Sequence, residues 1–104
     1  MIESIMKILG LRPDADFAML VKQGATVVDF RSRGEYKRGH IKGSLNIPIE
    51  QLKESFHLLP DKQQPIITYC ASGFRSSSAQ IILESNGYAH VYNGGSWIEL
   101  IGKI

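Results

Sequence analysis

The chain has 104 residues, of which 43% are hydrophobic and 21% charged, a composition that suits one globular domain and argues against disorder or a second domain. Its formal charge of +2 comes with no basic run, so the electrostatic footprint of a nucleic-acid binder is missing. The longest apolar run, Phe17 to Val21, is far below the roughly 18 residues that cross a bilayer. Glu3 and Lys7 break the opening segment, which therefore does not read as a secretory signal; a cytoplasmic protein with neither nucleic-acid nor membrane partners is the expectation.

In chain order, Ile2, Ile5, Met6 and Leu9 share one helical face, the spacing of a short amphipathic helix that packs on a core. Asp14 is placed to cap a helix from about Ala15 to Gln23, with Gly24 to end it. The β-branched run Thr26 to Phe30 has the length and composition of a strand. Ser32 and Glu35 stand three apart, the pattern in which a hydroxyl and a carboxylate satisfy the free amides of a helix start, so a helix of one or two turns follows. Ser44 to Ile47 reads as a short strand stopped by Pro48. Ile49, Leu52, Phe56 and Leu59 then give helical spacing up to Pro60.

Pro65 to Tyr69 is a further strand, and Ser76 to Asn86 a helix with Ala79, Ile82 and Leu83 on one side and Gly87 at its end. Tyr88 to Tyr92 forms the last strand, Asn93-Gly94-Gly95 a turn, and Ser96 the cap of a final helix carrying Trp97, Leu100 and Ile101. Strands that alternate with helices cross over and pair in parallel, which predicts an α/β sheet with helices on both faces.

A single cysteine, Cys70, excludes an intramolecular disulfide and a multi-cysteine zinc site. A lone cysteine is most often a small buried hydrophobe. The sequence around Cys70 argues for more. It follows a strand, and Ala71-Ser72-Gly73-Phe74-Arg75 separates it from a helix whose entry is marked by Ser76-Ser77-Ser78. Small residues and Gly73 let this loop curl so that its amides point inward as an anion-binding nest. Such amides, the helix dipole and the charge of Arg75 favour a thiolate. An ordinary thiol, with a pKa of about 8.5, is only a few per cent ionised at pH 7, so this shift separates a bystander from a nucleophile.

These residues, together with others spread along the chain, resemble those of a rhodanese domain from about Asp14 to Trp97. Asp29-Phe30-Arg31 with Glu35-Tyr36 is similar to the family's Asp-x-Arg and Glu-Tyr elements, and Gly39 to Pro48 to its Gly-His-Ile-x-Gly-Ala-x-Asn-Ile-Pro stretch. Cys70 to Ser76 resembles its Cys-x-x-Gly-x-Arg-Ser loop, and Gly94-Gly95 with Trp97 its closing motif, although Trp97 stands nearer the glycines than in many members. Residues 1 to 11 lie outside the resemblance, which treats 1–104 as one rhodanese-like domain.

The resemblance implies a parallel sheet of about five short strands and sulfur transfer by double displacement. The Cys70 thiolate takes the outer sulfur of a small anionic donor such as thiosulfate, and cyanide or a thiol, of a small molecule or of a protein, removes it. Ala71, Ser72, Gly73, Phe74, Arg75 and Ser76 would form the substrate-binding loop, with Arg75 receiving the donor's sulfonate. Asp29, Arg31 and Glu35 are expected to form one supporting charge network, and His40 to be a hydrogen-bonded packing residue. No metal or organic cofactor is called for. A persulfide carrier or regulatory module is the alternative function. A phosphatase of the same fold is more remote, because those enzymes place one residue more between cysteine and arginine than the four found here.

Overall fold

Residues 15–104 are described by the structure, a computed structural model. The expected helix at Ile2 to Leu9 and the expected cap Asp14 lie outside the described residues. The first helix, α1 (Phe17–Lys22), is capped by Asp16, whose carboxylate accepts from the Met19 amide at 3.0 Å. It leads into β1 (Thr26–Asp29), then α2 (Arg33–Arg38), β2 (Leu45–Asn46), β3 (Ile66–Cys70), α3 (Phe74–Ser85), β4 (Val91–Ser96) and α4 (Trp97–Ile101). The sheet is parallel throughout, in the order β2-β1-β3-β4. The described residues thus hold four of the about five strands that the resemblance implied.

Strand alternation divides the core into two layers. Val28, Phe30 and Ile66 turn toward α3 and pack with Ala79, Leu83, Leu52 and Tyr88. Val27, Ile67 and Tyr69 turn the other way, toward Phe17 of α1, Ile41 and Leu100 of α4. All five residues of β3 are buried, as expected of a central strand with both faces covered. The β3 chain therefore carries Cys70 to the carboxyl edge of the sheet on a rigid, fully packed support.

Three expectations are corrected. Residues 49 to 59 form two 3-10 turns, Ile49–Glu54 and Phe56–Leu58, instead of one helix. At Ser55, which separates them, the hydroxyl donates to the Gln51 carbonyl at 2.7 Å and the amide bonds Leu52 at i−3, which diverts the α-helical ladder.

The last strand starts later than expected, and Asn93-Gly94-Gly95 belongs to it. Thr68 pairs with Asn93 while Cys70 pairs with Ser96, so β4 spends an extra residue there as a bulge. A Cβ on Gly94 would lie 2.8 Å from both Leu100 Cδ2 and the Thr68 carbonyl, so glycine is required for close approach and not for a turn. Finally, α3 begins at Phe74, two residues earlier than expected, because Gly73 adopts a left-handed φ of 100° and turns the loop directly into the helix.

Candidate active site

Cys70 closes β3, and the chain returns over it through Ala71 and Ser72 to Gly73. The left-handed turn at Gly73 aims its amide at the sulfur: N–H donates to Cys70 Sγ at 3.0 Å, and the Ser76 amide does so at 3.3 Å. The Ser76 hydroxyl lies 3.6 Å from Sγ and is held by the Gly73 carbonyl at 3.0 Å and Asn93 Oδ1 at 2.9 Å. Asn93 also accepts from the Gly95 amide at 2.9 Å, tying the bulge of β4 to the loop.

Burial opposes ionisation of the Cys70 thiol. The Ser76 hydroxyl and the amides of Ser76, Gly73 and Ser72 outweigh burial, and the thiol sits below its ordinary value. No acid stands in the first turn of α3, so nothing there cancels the dipole of its twelve residues.

The expected charge network divides into two ion pairs. Asp29, fully buried, accepts from Arg31 Nε at 3.1 Å and Nη2 at 2.7 Å, and from the Arg31 amide at 2.8 Å. Arg31 Nη2 also donates to the Gly39 carbonyl at 2.6 Å, while the guanidinium carbon lies 4.8 Å from the centre of the Trp97 ring. The hydrogen bonds to Asp29 raise the Arg31 pKa further. Asn46 Nδ2 donates to the Asp29 and Arg31 carbonyls, which fixes β1 against β2.

Glu35 joins neither Asp29 nor Arg31 by a hydrogen bond. Its Oε1 completes the capping box on the Ser32 amide at 3.0 Å, and its two oxygens take Arg75 Nη1 at 2.7 Å and Nη2 at 3.1 Å. Arg75 and the Ser32 amide hold the Glu35 carboxyl down at about 2. The fold therefore gains from this carboxylate above its ordinary value near 4.5 and loses that gain as pH falls toward 2. With 36% of the Arg75 side chain and 26% of the Glu35 side chain exposed, the pair is worth no more than about 1 kcal/mol. Its consequence is positional: Arg75 straps the cysteine loop to α2.

His40 stacks on Tyr36, ring centres 3.6 Å apart, and its Nδ1 bonds the Tyr36 carbonyl at 2.8 Å. Both contacts anchor it locally on α2. A cleft of about 320 Å3 opens beside the loop, lined by Arg31, Glu35, Arg38, Gly39, Ala71 and Trp97. Sequence reasoning passed over Asn93, read as a turn residue, and Arg38, which no motif singles out. The Asn-Gly-Gly run was the available signal for the first; the second had none.

The family model for the rhodanese-like domain matches residues 14–96. The chain belongs to that family. It is 38% identical over 69 residues to the thiosulfate sulfurtransferase PspE of Escherichia coli, covering 65% of this chain and 66% of PspE. It is 34% identical over 79 residues to the tRNA uridine(34) hydroxylase of Buchnera aphidicola, of which it spans only 25%. Among solved structures, the human single-domain sulfurtransferase TSTD1 superposes with a TM-score of 0.71 at 29% identity, covering 84% of this chain and 89% of that one. An E. coli rhodanese with anions superposes at 0.70 and 34% identity, covering 73% and 91%. The relatives thus include sulfurtransferases of similar size and larger enzymes in which the matched region is a fraction of the whole.

Proposed function

We propose that the protein is a sulfurtransferase working through a persulfide on Cys70. The observation that carries this reading is the pair of amides, Gly73 at 3.0 Å and Ser76 at 3.3 Å, directed at the Cys70 sulfur. In the first step the thiolate lone pair forms a bond to the outer sulfur of a donor such as thiosulfate. The donor's S–S bond breaks, and its electron pair leaves with sulfite. The terminal sulfur of the resulting persulfide is anionic and occupies the same field of amides that held the thiolate. In the second step cyanide or a thiol attacks that outer sulfur and the thiolate returns. Atoms and charge balance without a metal or organic cofactor, and the two steps give ping-pong kinetics. A thiol kept reduced suits a cytoplasmic setting.

A protein thiol as acceptor is the second reading, and the exposure of Phe74, 81% accessible at the end of the loop, favours it. A phosphatase is disfavoured because those enzymes place one residue more between cysteine and arginine than the four that separate Cys70 from Arg75. The test is loading with thiosulfate followed by cyanide. Intact mass is expected to rise by one sulfur atom, and cyanide to release it as thiocyanate. Loading without release would make the protein a carrier; neither, in folded protein, would end the sulfur-transfer reading.

A further inference from the structure

We infer that Arg38 is the residue that receives the anionic end of the sulfur donor, an inference that rests on the sulfur-transfer reading and assigns its specificity. The reason is charge balance around the cleft. Arg31 is committed to the buried Asp29 carboxylate and the Gly39 carbonyl. Arg75 is committed to both oxygens of Glu35 and does not line the cleft. Each pair neutralises itself. Arg38 does line the cleft, and its guanidinium makes no hydrogen bond or ion pair among the described residues. Among the described residues it is the cleft's one arginine without an acidic partner, and Ala71, the residue next to Cys70, lines the same cleft.

The geometry around Arg38 supports a receiving site. It ends α2, just before Gly39, whose absent Cβ would fall 3.2 Å from Trp97 Cη2; the cleft wall is therefore drawn close to the indole at this point. The capping box at the start of α2 and the Glu35–Arg75 strap at its first turn fix this helix relative to the cysteine loop. An anionic head on Arg38 would share the cleft with Ala71, next to Cys70, and a guanidinium presents paired donors that match a sulfonate or carboxylate. The residue's role is selection among donors; the thiolate itself is made by the loop.

The experiment compares alkylation of Cys70 by iodoacetate and by iodoacetamide, probes alike in size that differ in one negative charge. In each, the thiolate forms an S–C bond and iodide leaves. For Arg38→Gln the ratio of the iodoacetate rate to the iodoacetamide rate is expected to fall about five-fold, the effect of one charge at contact distance in a wet site. Arg38→Lys should restore most of it. In steady state, Arg38→Gln should raise KM for thiosulfate by a similar factor while leaving kcat nearly unchanged. An unchanged ratio in Arg38→Gln overturns the assignment, as does a ratio that falls only in Arg75→Gln. The ratio needs no turnover, so a wild type that fails to load sulfur overturns the sulfur-transfer reading and leaves the ratio to judge Arg38 alone.

Discussion

Replacing Arg31 with methionine will cost about 3–5 kcal/mol of stability, the penalty for stranding a buried carboxylate. Asp29 has no exposed surface, and three of its four hydrogen bonds come from the Arg31 side chain. Without that guanidinium only the Arg31 amide remains, at 2.8 Å. Domains of this size have about 5–15 kcal/mol in total, so the variant will sit near its folding limit, with Tm lowered by more than about 10 °C. Thermal unfolding followed by circular dichroism checks it. A double variant, Asp29→Asn with Arg31→Met, should recover part of the loss, since the charge that was stranded is gone. A loss below about 1 kcal/mol in the single variant would mean that the carboxylate finds water or another partner, and that this pair does not hold the first loop.

Cys70→Ser will remove sulfur transfer, by more than about a thousand-fold, while leaving the fold in place. Serine is close to cysteine in size and can accept the same two amides, so the packing around β3 survives. Its hydroxyl stays protonated at any pH the protein tolerates, and an alkoxide is not available to attack sulfur. Intact mass after thiosulfate treatment should show no added sulfur, and thiocyanate formation should fall to the uncatalysed rate. The unfolding transition should remain cooperative. Turnover above about a tenth of wild type would place the nucleophile elsewhere and contradict the account at its root.

Much of the fold is legible because its signals are local. Ser32 and Glu35 announce the start of α2 by spacing alone, and the apolar β-branched runs that become β1 and β3 need no partner to be recognised. The cysteine loop is legible for the same reason: a strand end, a glycine and a helix entry are adjacent in sequence. The misread elements share a different property. The spacing of Ile49, Leu52, Phe56 and Leu59 fits a 3-10 turn as well as an α-helix, and only the hydrogen bonds of Ser55 decide. Gly94 signals a turn by composition, whereas its true cause is Leu100 and the Thr68 carbonyl, which no local pattern reveals.

The ion pairs show the same divide. Asp29 and Arg31, two residues apart, are recognisable as partners. Glu35 and Arg75 are forty residues apart in sequence, and the choice between Arg31 and Arg75 as partner of Glu35 is made by the packing of α2 against the loop. That choice redirects the site: with Arg75 occupied, the free positive charge at the cleft is one that family motifs do not mark.

The central claim is that the loop's amides and the Ser76 hydroxyl favour the Cys70 thiolate, and its most direct test is the pH dependence of Cys70 alkylation by neutral iodoacetamide. The account predicts an inflection below that of an unstructured cysteine peptide, moved upward in Ser76→Ala, where the hydroxyl near Sγ is lost while the Ser76 position keeps its amide. An inflection in the folded wild type at or above that of an unstructured cysteine peptide would contradict it.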